Sequence, residues 1–341
     1  MNNNIYETED LFDSFNEEEK SKGLVKDNKG KELDKYKSFM PSPFITAALP
    51  ARNVNKPLFV RKYNNVELKI TASTNVPYGK YGRLLLTILT THAVINKNKN
   101  PNEPVLVQYK SLNQLMRELQ LPTSRCNDIR DMLTNFAGAS FVFTERKQKV
   151  TQASLFKDLL DDNSGLNMND QVTATKYSSG LISFIKSIRY IDIEDRKGEK
   201  ATAAIDIVLN EDFVKFSQEH SVPINYSVYK DITSNLGKDL YAWFVYRINY
   251  IKEPLHISRY AMVEQFIPVS ENKQTEKDVK DQARSNWQKI KEQITIIKEK
   301  YYPELNVSFD ADNAGITIFP SQLPIQANDQ RYILVTTNPD L

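Results

Sequence analysis

A chain of 341 residues with 40% apolar content is longer than one core ordinarily serves, about 250 residues, so two domains of ordinary size are expected. Its single cysteine, Cys126, excludes an internal disulfide, and no charged leader followed by an apolar run opens the chain, which together point to a reducing, intracellular setting. The net charge of +2 divides unevenly: residues 1–36 hold ten Asp/Glu and six Lys, a balance of −4 that leaves +6 on a mildly basic body suited to nucleic acid or simply to solubility.

Residues 1–36, rich in Asn, Glu, Asp and Lys, have too few large apolar residues to offset the entropy of ordering them and read as a flexible arm. In Met40–Asn53 three prolines argue against a helix, and the strand-like PLFVRKY and VELKITAS follow. Arg83–Lys97 carries Leu85, Ile88, Leu89 and His92 at helical spacing, with His92 expected to be packed and hydrogen-bonded. Its apolar run Leu84–Ile95 is well short of the ~20 residues that cross a bilayer, so no membrane partner is expected.

After a Lys/Asn-rich loop and the short strand VLVQY, Ser111 reads as the N-cap of a second helix whose Leu112, Leu115, Met116 and Leu119 face a core. Pro122 ends it, and Cys126, Ile129, Leu133 and Phe136 define a third, amphipathic helix with Cys126 turned inward. Ala139–Lys147 and the pair GLISFIKSIRYIDIED/TAAIDIVLN read as strands, with Thr151–Lys176 as a long wing loop. The second half repeats the order: an aromatic helix over Ser234–Glu253, a helix over PLHISRYAMVEQFI, a long helix over Glu276–Tyr302, then two strands within Leu305–Pro320.

Enzyme readings find little support. His92, His220 and His256 stand far apart, with no pair at the spacing of a metal site, and neither a GxxxxGK[ST] loop nor a GxSxG elbow is present. The 17 tyrosines lack a local cluster of arginines and histidines that would activate a hydroxyl, so Tyr241, Trp243, Phe244 and Tyr246 read as core. No cofactor and no metal are expected.

Binding is the stronger case. With its apolar face packed, the third helix presents Arg125, Asn127, Arg130, Asp131 and Thr134; arginine can fork onto guanine and asparagine onto adenine, but the same face also fits a solvated surface, and Asp128 and Asp131 would repel phosphate. The long helix packs through Ala283, Trp287, Ile290, Ile294 and Ile297, leaving Lys280, Gln282, Arg284, Ser285, Asn286, Lys289 and Gln293 for DNA or for a salt-bridged surface, with seven basic against five acidic residues from Glu276 to Lys300. A β-hairpin directly after each such helix is the winged-helix arrangement.

FMPSPFITAALPARNV, VPYGKYGRLLLTILTTHAV and SLNQLMRELQLPTSRCNDIRDMLTNF together resemble the RepA-type plasmid replication initiators, which carry a similar proline-rich entry, a PYG-x-x-x-RLLL helix and a SL-x-x-(F/L)MRELG(L/I) helix. The resemblance covers residues 38–147 closely and the rest by element order. SNLGKDLYAWFVYRI is similar to the S-x-x-A-x-RLYELL helix that opens the second winged-helix domain in the wider superfamily, with Asp239 where arginine is usual. The third helix lacks the glycine- and arginine-rich start common in relatives.

The resemblance implies an α+β protein with two tandem winged-helix domains: an acidic arm (1–37), a first domain (38–225) for dimerisation and DNA contact, a second (226–330) for recognising repeated origin sites, or iterons, and a tail (331–341). Such a protein melts adjacent DNA and recruits the host initiator and helicase rather than cutting. Its monomers bind double-stranded iterons, and dimers, formed through the first domain and the β pair around Ser183–Leu209, repress their own gene in the bacterial cytoplasm. The candidate DNA contacts are Lys80, Arg83, Arg125, Asn127, Arg130, Lys280, Arg284, Ser285, Asn286, Lys289 and Gln293. A winged-helix transcriptional repressor without initiation activity remains the alternative.

Overall fold

The structure is a computed structural model that describes residues 36–63, 66–96, 104–152, 171–194, 200–268, 275–326, 328 and 331–337. The expected acidic arm lies outside these residues except for Tyr36 and Lys37, which open strand β1 (Tyr36–Pro41). The expectation that prolines keep Met40–Asn53 free of helix is corrected by the single turn α1 (Ser42–Thr46), which has Pro41 at its N-cap and Pro43 in its first turn. Proline is tolerated there because first-turn amides have no intrahelical partner to lose. The α1 residue Phe44 meets Phe141, Phe143 and Phe184 edge-on at 4.9–5.5 Å, seeding the first core.

Strands β2 (Leu58–Tyr63) and β3 (Val66–Ala72) form the expected hairpin. Helix α2 (Gly79–Ile95) follows; Gly82 through Thr91 are all buried, so it is a central helix rather than a surface one. His92 is hydrogen-bonded, its Nε2 lying 2.8 Å from Glu118 Oε1 and 3.1 Å from the Tyr109 hydroxyl, which ties α2 to strand β4 (Leu106–Tyr109) and helix α3 (Leu112–Glu118).

Ser111 caps α3, accepting from the Gln114 amide at 3.2 Å. The helix ends by turning back on itself, the Leu121 amide reaching Met116 O at 2.8 Å, with Gln120 held at φ 51°, the position the resembled motif fills with glycine. A 3-10 turn, Thr123–Arg125, leads into α4 (Cys126–Ala137), which buries Ile129, Met132, Leu133 and Phe136. Cys126 sits at the rim rather than inside, half-buried with its Sγ 3.8 Å from Asn113 Oδ1.

The chain continues through β5 (Ala139–Gln152), β6 (Gln171–Ser183), β7 (Ile185–Glu194) and β8 (Lys200–Leu209). Helix α5 (Glu211–His220), strand β9 (Ser221–Asn225) and helix α6 (Tyr226–Asp231), for which the sequence carried no assignment, then lead to the second half. That half comprises α7 (Asn235–Ile248), β10 (Leu255–Ser258), α8 (Arg259–Phe266), α9 (Glu276–Ile296) extended by a π turn at Ile297–Tyr301, β11 (Val307–Phe309), β12 (Gly315–Ile318) and β13 (Ile333–Leu334). The expected helix over PLHISRYAMVEQFI is therefore a strand followed by a helix. Ser258 caps α8, accepting from the Ala261 amide, while Leu255–Ser258 pair with Gly315–Ile318. Gly315 makes that pairing possible, since a Cβ there would stand 2.2 Å from Ile257 O.

Sheet pairing shows how the halves correspond. In the second half the order is β10-β12-β11, and in the first half it is β4-β8-β7, so the strand between the first two helices pairs each time with the far strand of a later hairpin. The first-half counterpart of the β11–β12 hairpin is thus β7–β8. The expected wing loop Thr151–Lys176 is corrected in part: Thr151, Gln152 and Gln171–Lys176 are strand, joined to β2 and β3 in the separate sheet β2-β3-β5-β6, while residues 153–170 lie outside the described ones. The segment expected as a tail contributes β13, parallel to β1 in the sheet β13-β1-β9.

The halves are joined through α2 and α7. Arg83 on α2 donates from Nε and Nη2 to the two oxygens of Asp239 on α7, both at 2.7 Å, and from its remaining donors to the carbonyls of Leu49, Pro50 and Gly79. Gln265 Nε2 to Thr46 O at 3.3 Å and Asn235 Nδ2 to Ala51 O at 2.9 Å flank it. Tyr241, Trp243 and Phe244 of α7 are buried as expected, Tyr246 only partly. No described helix is long and apolar enough to cross a membrane.

Removing Asp239 strands a buried cation, so Asp239→Ala is expected to lose about 3–5 kcal/mol in urea unfolding, whereas the paired apolar change Arg83→Met/Asp239→Leu recovers most of it. At the end of α3, Gln120→Gly is expected to raise stability by about 1 kcal/mol in the same assay, because glycine adopts the left-handed backbone without a Cβ penalty.

Candidate nucleic-acid interface

Two helices stand where a helix pair and a hairpin converge: α4 with β7–β8 and α9 with β11–β12. On α4 and the turn before it, the outward residues Arg125, Asn127, Asp131 and Thr134 are exposed as expected. Their charges are largely answered within the protein. Arg125 lies 3.4 Å from Asp128, and Arg130, half-buried, sits 2.7 Å from Asp192 with its guanidinium 4.5 Å from the centre of the Tyr190 ring. The Asp192 hydrogen bond holds Arg130 above its ordinary value. On the hairpin Arg189 pairs with Asp206 and Lys186 with Glu211. Burial pushes the Cys126 thiol up, the opposite of what a nucleophile needs.

Helix α9 presents a more open cationic face. It packs through Trp287, Ile290 and Ile294, and Trp287 Nε1 donates to Asn313 Oδ1 at 2.8 Å, which fixes the turn of the β11–β12 hairpin against the helix. Thr275 caps its start, accepting from the Asp278 amide. Lys280, Arg284, Ser285 and Lys289 are exposed; Lys280 pairs with Glu276 at 2.6 Å, and Arg284, with a side chain 82% exposed, reaches Asp281 only at 4.0 Å.

Three expected contacts are placed elsewhere. Arg83 is 2% exposed with all five N–H donors used inside the protein, so none is left for phosphate. Asn286 is 3% exposed and donates to Ile267 O at 2.9 Å, anchoring the segment before α9 rather than facing outward. Gln293 is half-buried and accepts from Ser234 Oγ, packing where α7 starts; Gly237 leaves the space, since a Cβ there would stand 2.6 Å from Gln293 Oε1. Lys80 is exposed in the first turn of α2, its Nζ 4.9 Å from the centre of the Tyr81 ring.

The exposed face of α9 also includes Lys277 and Gln288, seven residues before and four after Arg284, a spacing readable in the sequence. Arg259 and Tyr260 open α8, the Arg259 amide bonding to Ala314 O in the hairpin turn, and both are exposed. Among the described residues no group of three or more His, Cys, Asp or Glu side chains is placed to hold a metal ion.

A family model described as "Plasmid encoded RepA protein" matches residues 76–262, more than half of the chain and spanning α2 through the first half of α8. The chain belongs to the plasmid-encoded RepA family. The matched region of this RepA chain includes the Arg83–Asp239 pair and all of α3 and α4, while α9 lies beyond it. Among solved structures it is similar to domains 2 and 3 of RctB, with 13% identity and TM-score 0.47 over 84% of this chain and 99% of that one. A second structure of RctB domains 2–3 gives 12% identity and TM-score 0.42, over 81% of this chain and 94% of that one. The Pi initiator protein in complex with iteron DNA gives 12% and 0.39, over 84% and 96%. No curated protein matches the chain.

If the outward face of α9 meets DNA, Arg284→Ala/Lys289→Ala is expected to lower the slope of log affinity against log salt by about two, as two phosphate contacts disappear. Arg130→Ala, whose guanidinium is already held by Asp192, is expected to change the slope by less than one; fluorescence anisotropy on duplex DNA across a salt series measures both.

Proposed function

We propose that this RepA-family protein is a plasmid replication initiator that binds double-stranded iterons at its origin through two tandem winged-helix units. The observation that carries the reading is the doubled arrangement in which a helix, strand, helix and helix are completed by a hairpin whose far strand pairs back to the first strand, β4-β8-β7 and again β10-β12-β11. In such a unit the second helix of the pair enters the major groove and the hairpin rests on the flanking backbone. The open basic residues of α9 make it the better base reader of the two, and α4, with its internally answered charges, a positioning element. Arg83–Asp239 holds the units in one relative orientation, which matches two contacts to a fixed spacing of sites.

Bound in this way, the protein melts the adjacent duplex and recruits the host initiator and helicase, acting by binding rather than by catalysis. It works in the bacterial cytoplasm, and its dimers repress the gene that encodes it. Opening of DNA separates this reading from that of a repressor using the same helices. On a supercoiled plasmid carrying the repeats beside the gene, permanganate is expected to modify thymines in an adjoining A·T-rich tract when the protein is bound. Bound protein that leaves those thymines unreactive would favour the repressor, and a covalent protein–DNA adduct would point to a nickase.

A further inference from the structure

Strands β5 and β6 are paired for thirteen residues, from Ser140↔Ser183 to Gln152↔Gln171, but β3 accompanies β5 only as far as Val66↔Glu145. Beyond that point, among the described residues, Arg146–Gln152 and Gln171–Tyr177 form a two-stranded ribbon of seven residue pairs with no third strand, about 23 Å long. Its composition is one-sided: Arg146, Lys147, Lys149 and Lys176 with no acidic residue, the remainder mostly Gln and Thr.

The register concentrates that charge. Lys147 is directly opposite Lys176, and Lys149, two positions on, shares their face; Arg146 is opposite Tyr177 on the other face, with the positions of Gln148, Gln152, Gln171, Thr173 and Thr175. Like charges directly opposite one another weaken an isolated hairpin. Lysines on a free strand edge discourage edge-to-edge aggregation, but that need is met by lysines on either strand and does not call for two directly opposite each other; the carboxylate on their face, Glu145, stands two positions before Lys147, where β3 ends. A polyanion running along the ribbon removes the repulsion and gains from it.

We infer that the paired legs of the β5–β6 ribbon are a second DNA-contacting element, in addition to the winged-helix units, with Lys147, Lys149 and Lys176 on phosphates. This rests on the DNA-binding reading given above. A two-stranded ribbon is of a size that the major groove admits, and seven residue pairs match the length of about two-thirds of a turn of duplex. The pairing of β7–β8 with β4 assigns the wing role in the first half to a different hairpin, so the ribbon is free for this one. The connecting residues 153–170 hold four Asp and one Lys, which confines the contact to the legs.

The test uses the full chain with Lys147→Gln/Lys149→Gln/Lys176→Gln, Arg284→Ala/Lys289→Ala for comparison, and duplex carrying the repeats beside the gene. The Gln triple is expected to lower the salt slope by about 2.7 and affinity by about tenfold or more at physiological salt, with an unchanged or higher urea midpoint, while the Lys→Arg triple retains both. An unchanged slope in the Gln triple, alongside a reduced one in the α9 variant, overturns the ribbon contact and leaves the DNA reading standing. Loss of self-association in sedimentation with DNA affinity intact makes the ribbon an interface between copies and also overturns it. Absence of salt-dependent binding by the parent chain defeats the DNA reading itself.

Discussion

Arg83 and Asp239 stand 156 residues apart in the chain, and their side chains meet where the two halves of the molecule touch. The carboxylate takes two of the five guanidinium donors, and the carbonyls of Leu49, Pro50 and Gly79 take the rest, so one side chain closes the α1–β2 connection, the start of α2 and the start of α7. A pair this dry adds little net stability, because desolvation offsets most of its attraction; it imposes geometry, since any other arrangement leaves a buried charge unanswered. Other polar groups are organised around it. Lys238, next in the chain, is lowered to about 7 by burial and by the nearby Arg83 and Lys80, and its Nζ donates to the carbonyls of Tyr229 and Lys230 at the end of α6.

From that joint the outward surfaces of the two halves diverge in chemistry. On the first half, Arg125, Arg130, Lys186 and Arg189 each meet a carboxylate, and Arg130, which also covers Tyr190, ties helix α4 to Asp192 on the β7–β8 hairpin. On the second half the apolar stripe of α9 is locked by Trp287 on Asn313, while the opposite face carries Lys277, Arg284 and Lys289 in the open. A polyanion gains more from cations without strong internal partners, because no ion pair has to be broken to engage them. This asymmetry is why α9 carries the weight of the proposed recognition, although the stronger motif resemblance falls on α3 and α4.

The local code was legible wherever a short-range signal acts. Ser111, Ser258 and Thr275 cap helices because their hydroxyls reach amides three residues on, and the apolar spacing of α4 and α9 places their buried faces. PLHISRYAMVEQFI was misread because four residues are too few for periodicity to separate strand from helix, and only the pairing with β12 decides. Asn286 was read as outward-facing although it stands three residues after Ala283 and four before Ile290, at the edge of the apolar stripe, where a carbonyl from the preceding connection holds it inside.

The sequence by itself determined the class of the protein: a mildly basic α+β chain in which each half is a run of helices followed by paired strands, with the motifs of the RepA family; the strand β10 that completes the repeated order came from its pairing with β12. The class and the helices follow from capping, periodicity and composition, all of which act over a few residues, and the family from its motifs. The tertiary structure decided which hairpin belongs to which helix pair, which basic residues remain available, and that Arg83 is a structural clamp and not a DNA contact. Those outcomes depend on partners more than a hundred residues away, and whether a guanidinium faces water or a buried carboxylate is settled only when the chain brings that carboxylate to it.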